Sequence, residues 1–110
     1  GSLMAVEITA ENFAAETANG LTLVDFWADW CGPCHMFEPV FEELEEDFDG
    51  QVSFASLDVE DQQDLAVQFN VMSIPTLILF KDGVAREKIT GYKSKAALSQ
   101  YLAKKVAENK

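Results

Sequence analysis

The stretch Phe-Trp-Ala-Asp-Trp-Cys-Gly-Pro-Cys-His-Met, residues 26–36, holds both cysteines of the chain, with Trp30 before them and His35 after. Two residues separate Cys31 from Cys34. That spacing suits three chemistries: a redox-active dithiol, part of a metal or haem attachment site, or a structural staple. The flanking sequence has to choose between them.

On the upstream side, residues 21–28 (LTLVDFWA) are apolar on both faces apart from Thr22 and Asp25, the pattern of a strand covered on both sides. On the downstream side, Phe37, Val40, Phe41, Leu44 and Phe48 recur at helical spacing and predict a helix from the cysteine turn to about residue 49. Pro39 removes one backbone donor inside it and is expected to kink it, and Gly50 to end it. The cysteines therefore sit where a central strand turns into a core helix.

Further out, residues 6–8 predict a short strand, and Thr9 the cap of a helix over residues 10–18 that stops at Asn19-Gly20. A third strand follows over residues 52–59, then a short helix over 61–69. Strand-like residues 76–80 and 84–90 flank Lys81-Asp82-Gly83, a hairpin signal. Ser94 caps a last helix reaching about residue 106, with Leu98, Tyr101, Leu102 and Val106 facing inward. The order βαβαβαββα implies an α/β fold: parallel pairing with right-handed crossovers early, an antiparallel hairpin late, and helices on both faces of one mixed five-stranded sheet.

Composition narrows the function. The 110 residues suit one domain; Gly1, Ser2 and Leu3 read as an expression remnant, and residues 4–110 as the single domain starting at Met4. With 48% hydrophobic and 25% charged residues, the balance is that of a soluble globular protein. No apolar run approaches the ~20 residues that span a bilayer. The N-terminus lacks the basic, apolar, small-residue order of a secretory signal, so a cytoplasmic location is expected. In a reducing cytosol a disulfide is more often catalytic than structural. A formal net charge of -11 argues against nucleic acid and against an anionic membrane surface; it is first a matter of solubility, with a preference for partners with a basic docking face as the sharper alternative.

Trp30-Cys31-Gly32-Pro33-Cys34 after a buried strand and opening a helix resembles the thioredoxin family. So do Asp25 within that strand, Ile74-Pro75-Thr76 before the fourth strand, and Gly91 after the fifth. The similarity spans essentially residues 4–105 in the family's element order; a lone C-x-x-C would be weak, but these features together are specific. The resemblance implies a thioredoxin fold and a general protein-disulfide reductase that cycles between the Cys31/Cys34 dithiol and disulfide. It implies no bound cofactor, with reducing equivalents from NADPH through a flavoprotein thioredoxin reductase; the chain has no Gly-rich dinucleotide fingerprint of its own. Disulfide-containing proteins are the implied substrates, and a monomer is expected. An oxidant or isomerase, or a redox-independent binding module using the same apolar patch, are the alternatives.

The first helical turn offers unpaired N–H groups and the positive end of the macrodipole, which stabilise a thiolate. Cys31, before the helix, is expected to be the accessible nucleophile, and Cys34, one turn in and more covered, the resolving thiol. Pro33 suits the first turn, where its missing N–H costs nothing, and Gly32 leaves the sulfur approachable. Cys31 through His35 also satisfies the C-x-x-C-H haem pattern. Haem, however, would need a large apolar pocket where this sequence places a strand and a core helix. Structural zinc needs four ligands, and the chain has two Cys and one His. A staple would close too short a loop to add much stability. The redox pair is the reading retained, with no metal.

By resemblance, Asp25 is the proton acceptor for Cys34, directly or through water; its apolar surroundings should raise its pKa. Pro75 is implied to be cis and to face the cysteines. Trp30, Gly32, Pro33, Val59, Ile74 and Gly91 are implied to form a flat apolar docking patch, with the Ile74 backbone free to pair with an extended substrate. Trp27 is read as packing. There are two departures: the family most often has Lys where His35 stands, and commonly a lysine on the third strand where Ser56 stands. His35 should make activity more pH-sensitive than a lysine would. Residues 42–47 (EELEED) are strongly acidic. Glu45 lies fourteen residues from Cys31, roughly 20 Å of helical rise against a Debye length of ~8 Å, so of this region only the nearer Glu38 should be felt at the sulfur.

Overall fold

In the computed structural model, which describes residues 5–110, the chain runs β1 (Val6–Glu7), α1 (Phe13–Thr17), β2 (Leu21–Trp27), α2 (Gly32–Asp47), β3 (Val52–Asp58), α3 (Gln63–Gln68), β4 (Thr76–Lys81), β5 (Val84–Thr90), α4 (Lys95–Glu108). The expected remnant at residues 1–3 and start at Met4 lie outside the described residues. The five strands form one sheet in the order β1-β3-β2-β4-β5. β3 is parallel to β1 and β2; β4 is antiparallel to β2 and β5. The family's mixed sheet and four helices are present in the order expected.

β2 lies at the centre because its side chains are apolar on both faces. Leu21 and Leu23 join Phe37, Phe41, Leu44 and Phe48 of the α2 region and Leu98 and Leu102 of α4. Val24 and Phe26 point the other way, into a cluster with Leu65 of α3, against which Phe13 of α1 and Phe69 pack. Phe69 packs tilted against Phe13 and edge-to-face against Phe80, each at 5.3 Å between ring centroids. Val40, Tyr101 and Val106, expected inward, pack on the first cluster while staying partly exposed. β5, by contrast, is a largely exposed edge strand bearing Arg86, Glu87 and Lys88.

Several boundaries differ from the sequence reading by one to three residues. Thr9 does accept a hydrogen bond to its hydroxyl, from the Asn12 N–H at 3.3 Å, and its own N–H donates to Asn12 Oδ1 at 2.8 Å. This reciprocal pair closes a turn, so the regular helix begins at Phe13 rather than residue 10. α2 passes through Pro39 unbroken and ends at Asp47, two residues early, with Phe48 as its cap. α3 covers Gln63–Gln68 rather than residues 61–69. Elsewhere the chemistry read from sequence is seen directly. Ser94 Oγ accepts from the Ala97 N–H at 3.1 Å and caps α4. Asp82 (φ 49°) and Gly83 (φ 84°) both take positive φ, as a two-residue hairpin of this twist requires. The Asp82 carboxylate also accepts from the Gly20 N–H at 2.7 Å, tying the hairpin to the start of β2. Lys95 lies 3.2 Å from Asp47 and 3.9 Å from Glu43, which offsets part of the repulsion along α2.

Leu102 is fully buried in the α4 face of the core. Leu102→Ala should cost about 2–5 kcal/mol of stability through the cavity it leaves. The same variant should keep its disulfide chemistry, because α4 supplies no residue to the cysteine turn. Urea unfolding beside a reductase assay checks both; an unchanged midpoint would mean that the helix is not packed as described.

Candidate active site

The site is built where strands end. β2 exits at Trp27, paired with Asp58 of β3, while Phe26 pairs with Thr76, and Thr76 with Thr90. These registers bring the end of β3, the loop before β4 and the end of β5 to the edge of the sheet from which the cysteine turn leaves. Carboxyl ends of parallel strands are the usual binding edge of such sheets. The Val59 N–H donates to the Trp27 carbonyl at 2.9 Å, and the Gly91 N–H to the Pro75 carbonyl at 2.9 Å. The Ile74–Pro75 bond is cis, as the resemblance implied.

Cys31 is the N-cap of α2, in extended conformation, and its Sγ accepts the Cys34 N–H at 3.2 Å. Its own N–H donates to the Ala28 carbonyl at 3.2 Å, and its carbonyl accepts the His35 N–H at 3.3 Å. A sulfur therefore occupies the position usually given to Ser or Asp oxygen. Once reduced and ionised it is the anion that a helix N-terminus favours. Cys31 and Cys34 are joined in a disulfide with Cα atoms 5.3 Å apart. Among the described residues, no group of three or more His, Cys, Asp or Glu is placed to hold a metal ion.

The expected contrast between an open Cys31 and a covered Cys34 needs correction. In the disulfide both are covered, at 4% and 2% exposure. What distinguishes them is the helix: Cys31 precedes it and Cys34 lies in its first turn. The rim over the pair is exposed at Trp30 (70%), Gly32 and Pro33. A side-chain carbon at Gly32 would meet nothing within 4 Å. Val59, Ile74 and Gly91 are half-buried and Pro75 is buried. The sequence reading passed over two exposed methionines in this region, Met36 and Met72 (87% exposed). Met36 falls off the buried stripe of α2, a signal that was present; Met72 lies in an aperiodic loop and gave none.

Strand alternation puts Asp25 on the same face as Leu21 and Leu23, beneath α2, between Ser56 of β3 and Leu77 of β4. It is 1% exposed, and neither carboxylate oxygen has a hydrogen-bond partner among the described residues. Burial, with a contribution from the Glu38 charge, pushes its pKa up to about 7. Ser56, itself buried, supplies no opposing charge. His35 is engaged on both ring nitrogens, with Glu38 Oε1 2.8 Å from Nδ1 and the Asp29 carbonyl oxygen 2.6 Å from Nε2. The Asp29 contact first, then Glu38, raise its pKa above the ordinary imidazole value.

The Asp25 shift makes stability depend on pH with a definite sign. Below the ordinary carboxylate value the acid is protonated in folded and unfolded chains alike. As pH rises from there, the unfolded chain ionises while the folded one holds its proton, so stability falls until pH passes about 7. Asp25→Asn never titrates. Its stability relative to the native chain should therefore grow by roughly 4 kcal/mol between about pH 4 and pH 8. Denaturant unfolding of the oxidised proteins at both ends of that window is the measurement; a constant difference would mean that Asp25 has an ordinary pKa.

The Thioredoxin family model matches residues 4–104. Thioredoxin of Staphylococcus saprophyticus is 48% identical over 99 residues, which cover 90% of this chain and 95% of that protein. Thioredoxin of Staphylococcus aureus is 46% identical over the same shares. With a disulfide capping a helix at the carboxyl end of a mixed sheet, and with relatives of this likeness over nearly their whole length, the chain belongs to the thioredoxin family and is a thiol-disulfide oxidoreductase, a protein-disulfide reductase.

Proposed function

We propose that Cys31 attacks, Cys34 resolves and Asp25 takes the proton in a reductase cycle run on the exposed rim around Trp30. The Cys31 thiolate attacks one sulfur of a substrate disulfide; that bond breaks, a mixed disulfide forms, and the substrate's other sulfur leaves as thiolate. Cys34 then gives its proton to Asp25 and attacks Cys31 Sγ. The second substrate sulfur leaves and is protonated. Two electrons have passed from the dithiol to the substrate, and the chain ends in the disulfide seen in the structure. The observation that carries the assignment is the helix cap: Cys31 Sγ is the acceptor for the Cys34 N–H. A charged acceptor there is worth more than a neutral one, so the cap favours thiolate at Cys31.

The docking face of this reading is Trp30, Gly32, Pro33, Val59, Ile74 and Gly91, with Pro75 shaping the loop and the Ile74 backbone pairing to an extended substrate segment. NADPH, through a flavoprotein thioredoxin reductase, restores the dithiol. Disulfide-bearing proteins of a reducing cytosol are the substrates, and residues 4–110 act as one monomeric domain. No helix among the described residues is long and apolar enough to cross a membrane, which suits that setting.

Cys31→Ser should abolish reduction in an NADPH-coupled assay without unfolding the chain. Cys34→Ser should keep the attack and accumulate a mixed disulfide visible by mass spectrometry; adduct on Cys34 in preference to Cys31 would reverse the roles. Retained function in the double Ser variant would make the chain a binding module instead.

Asp25→Asn should slow release of the mixed disulfide, by the ~10²–10⁴-fold typical of a positioned base, and leave its formation nearly intact. Stopped-flow traces across pH separate the two steps. Slowing of the attack alone would remove Asp25 from the mechanism.

A further inference from the structure

His35 is the only histidine of the chain, and its ring is held from both sides. An ionised carboxylate and a backbone carbonyl can only accept hydrogen bonds. Neutral imidazole carries one N–H, so it can satisfy one of these partners and must turn a lone pair toward the other. Only imidazolium donates to both. The partners lie on different elements: Glu38 within α2, and Asp29 in the turn between β2 and α2, next to Trp30 and Cys31. Cys31 itself ties that turn to α2 through its carbonyl bond to the His35 N–H. The ring adds a second, side-chain tie one step further back along the chain.

We propose that protonated His35 is a positioning residue that latches the Asp29–Trp30 turn onto the start of α2 and so holds the docking face and Cys31 in place for attack. The consequence for catalysis rests on the reductase reading; the latch itself rests on the two contacts. Among the described residues, the charged group acting on the ring is Glu38 on α2, and Asp29 in the turn contributes its backbone carbonyl. Asp25, buried in β2, feels Glu38 in turn, and the Cys31 thiolate joins them on reduction. Both contacts favour the charged ring, so the latch is closed below its raised pKa and opens as pH rises through it. Opening also withdraws the His35 charge from Glu38, which leaves the dithiol in a more negative field and disfavours thiolate. A lysine here carries three donors and a charge that persists across this range, so it would hold both acceptors without a switch.

The single imidazole makes the test direct. Proton NMR of the full oxidised chain follows His35 and the Trp30 indole against pH, with no thiol titrating. His35 should titrate above the ordinary imidazole value, Glu38→Gln should bring it back down, and the Trp30 resonance should move with the same midpoint. In turnover of a folded protein disulfide, His35→Gln should lower kcat/KM near pH 6.5 roughly two- to fivefold, the scale of one partly exposed charged contact. His35→Lys should restore the rate and flatten the profile through the window where the native chain falls. An ordinary His35 titration that ignores Glu38→Gln, or a Trp30 resonance that does not follow it, would overturn the latch even in an active reductase. An inactive chain with the linked titration intact would overturn the reductase reading instead.

Discussion

At the start of α2 the backbone N–H groups have no carbonyl to receive them, and the atom that answers the Cys34 N–H is the sulfur of Cys31. Much of the site follows from that one contact. It fixes which cysteine stands outside the helix, and it places the other within its first turn. It also needs a strand delivered to the right spot. β2 does this by being apolar on both faces, so that the sheet closes around it and its carboxyl end opens under the helix. A change that moved β2 by one residue would swap its faces, bury the wrong side chains and carry the cysteine turn away from α2.

The same burial that secures β2 creates the tension at Asp25. A carboxyl group placed among Leu23, Leu77 and the α2 helix has lost water and gained no donor among the described residues. Its proton is therefore held to near neutrality. Stability and titration are tied together here: the burial that weakens the fold at high pH also brings the ionisation of this carboxyl group near neutrality.

Much of this was legible in the sequence because it rests on period and on local chemistry. The two-faced apolar run gave β2 its place, Asp-Gly gave the hairpin, and Ser94 gave the cap of α4. The C-x-x-C pair, read with Asp25 and Ile74-Pro75, pointed to the family. Less legible was anything set by two side chains meeting across a turn. Thr9 and Asn12 satisfy each other and so postpone α1. The closed disulfide covers both sulfurs, which no spacing rule anticipates. His35 was visible as a departure from lysine, but its grip on Asp29 depends on how the turn folds back over the helix. Met72 sits in a loop without periodicity, where exposure leaves no trace in the sequence.

The exposed edge strand β5 bears on where another polypeptide can add itself to this sheet. Every open sheet edge is a template on which an extended segment can pair. β5 presents Arg86, Glu87 and Lys88 along its outer run. Lys88 reaches across to the Phe69 and Asn70 carbonyls at 2.9 and 2.8 Å, and Glu87 is engaged by Lys105. Charges anchored to the body of the protein cannot easily swing aside for an incoming strand. That margin of the sheet is thereby made a poorer template for an incoming strand.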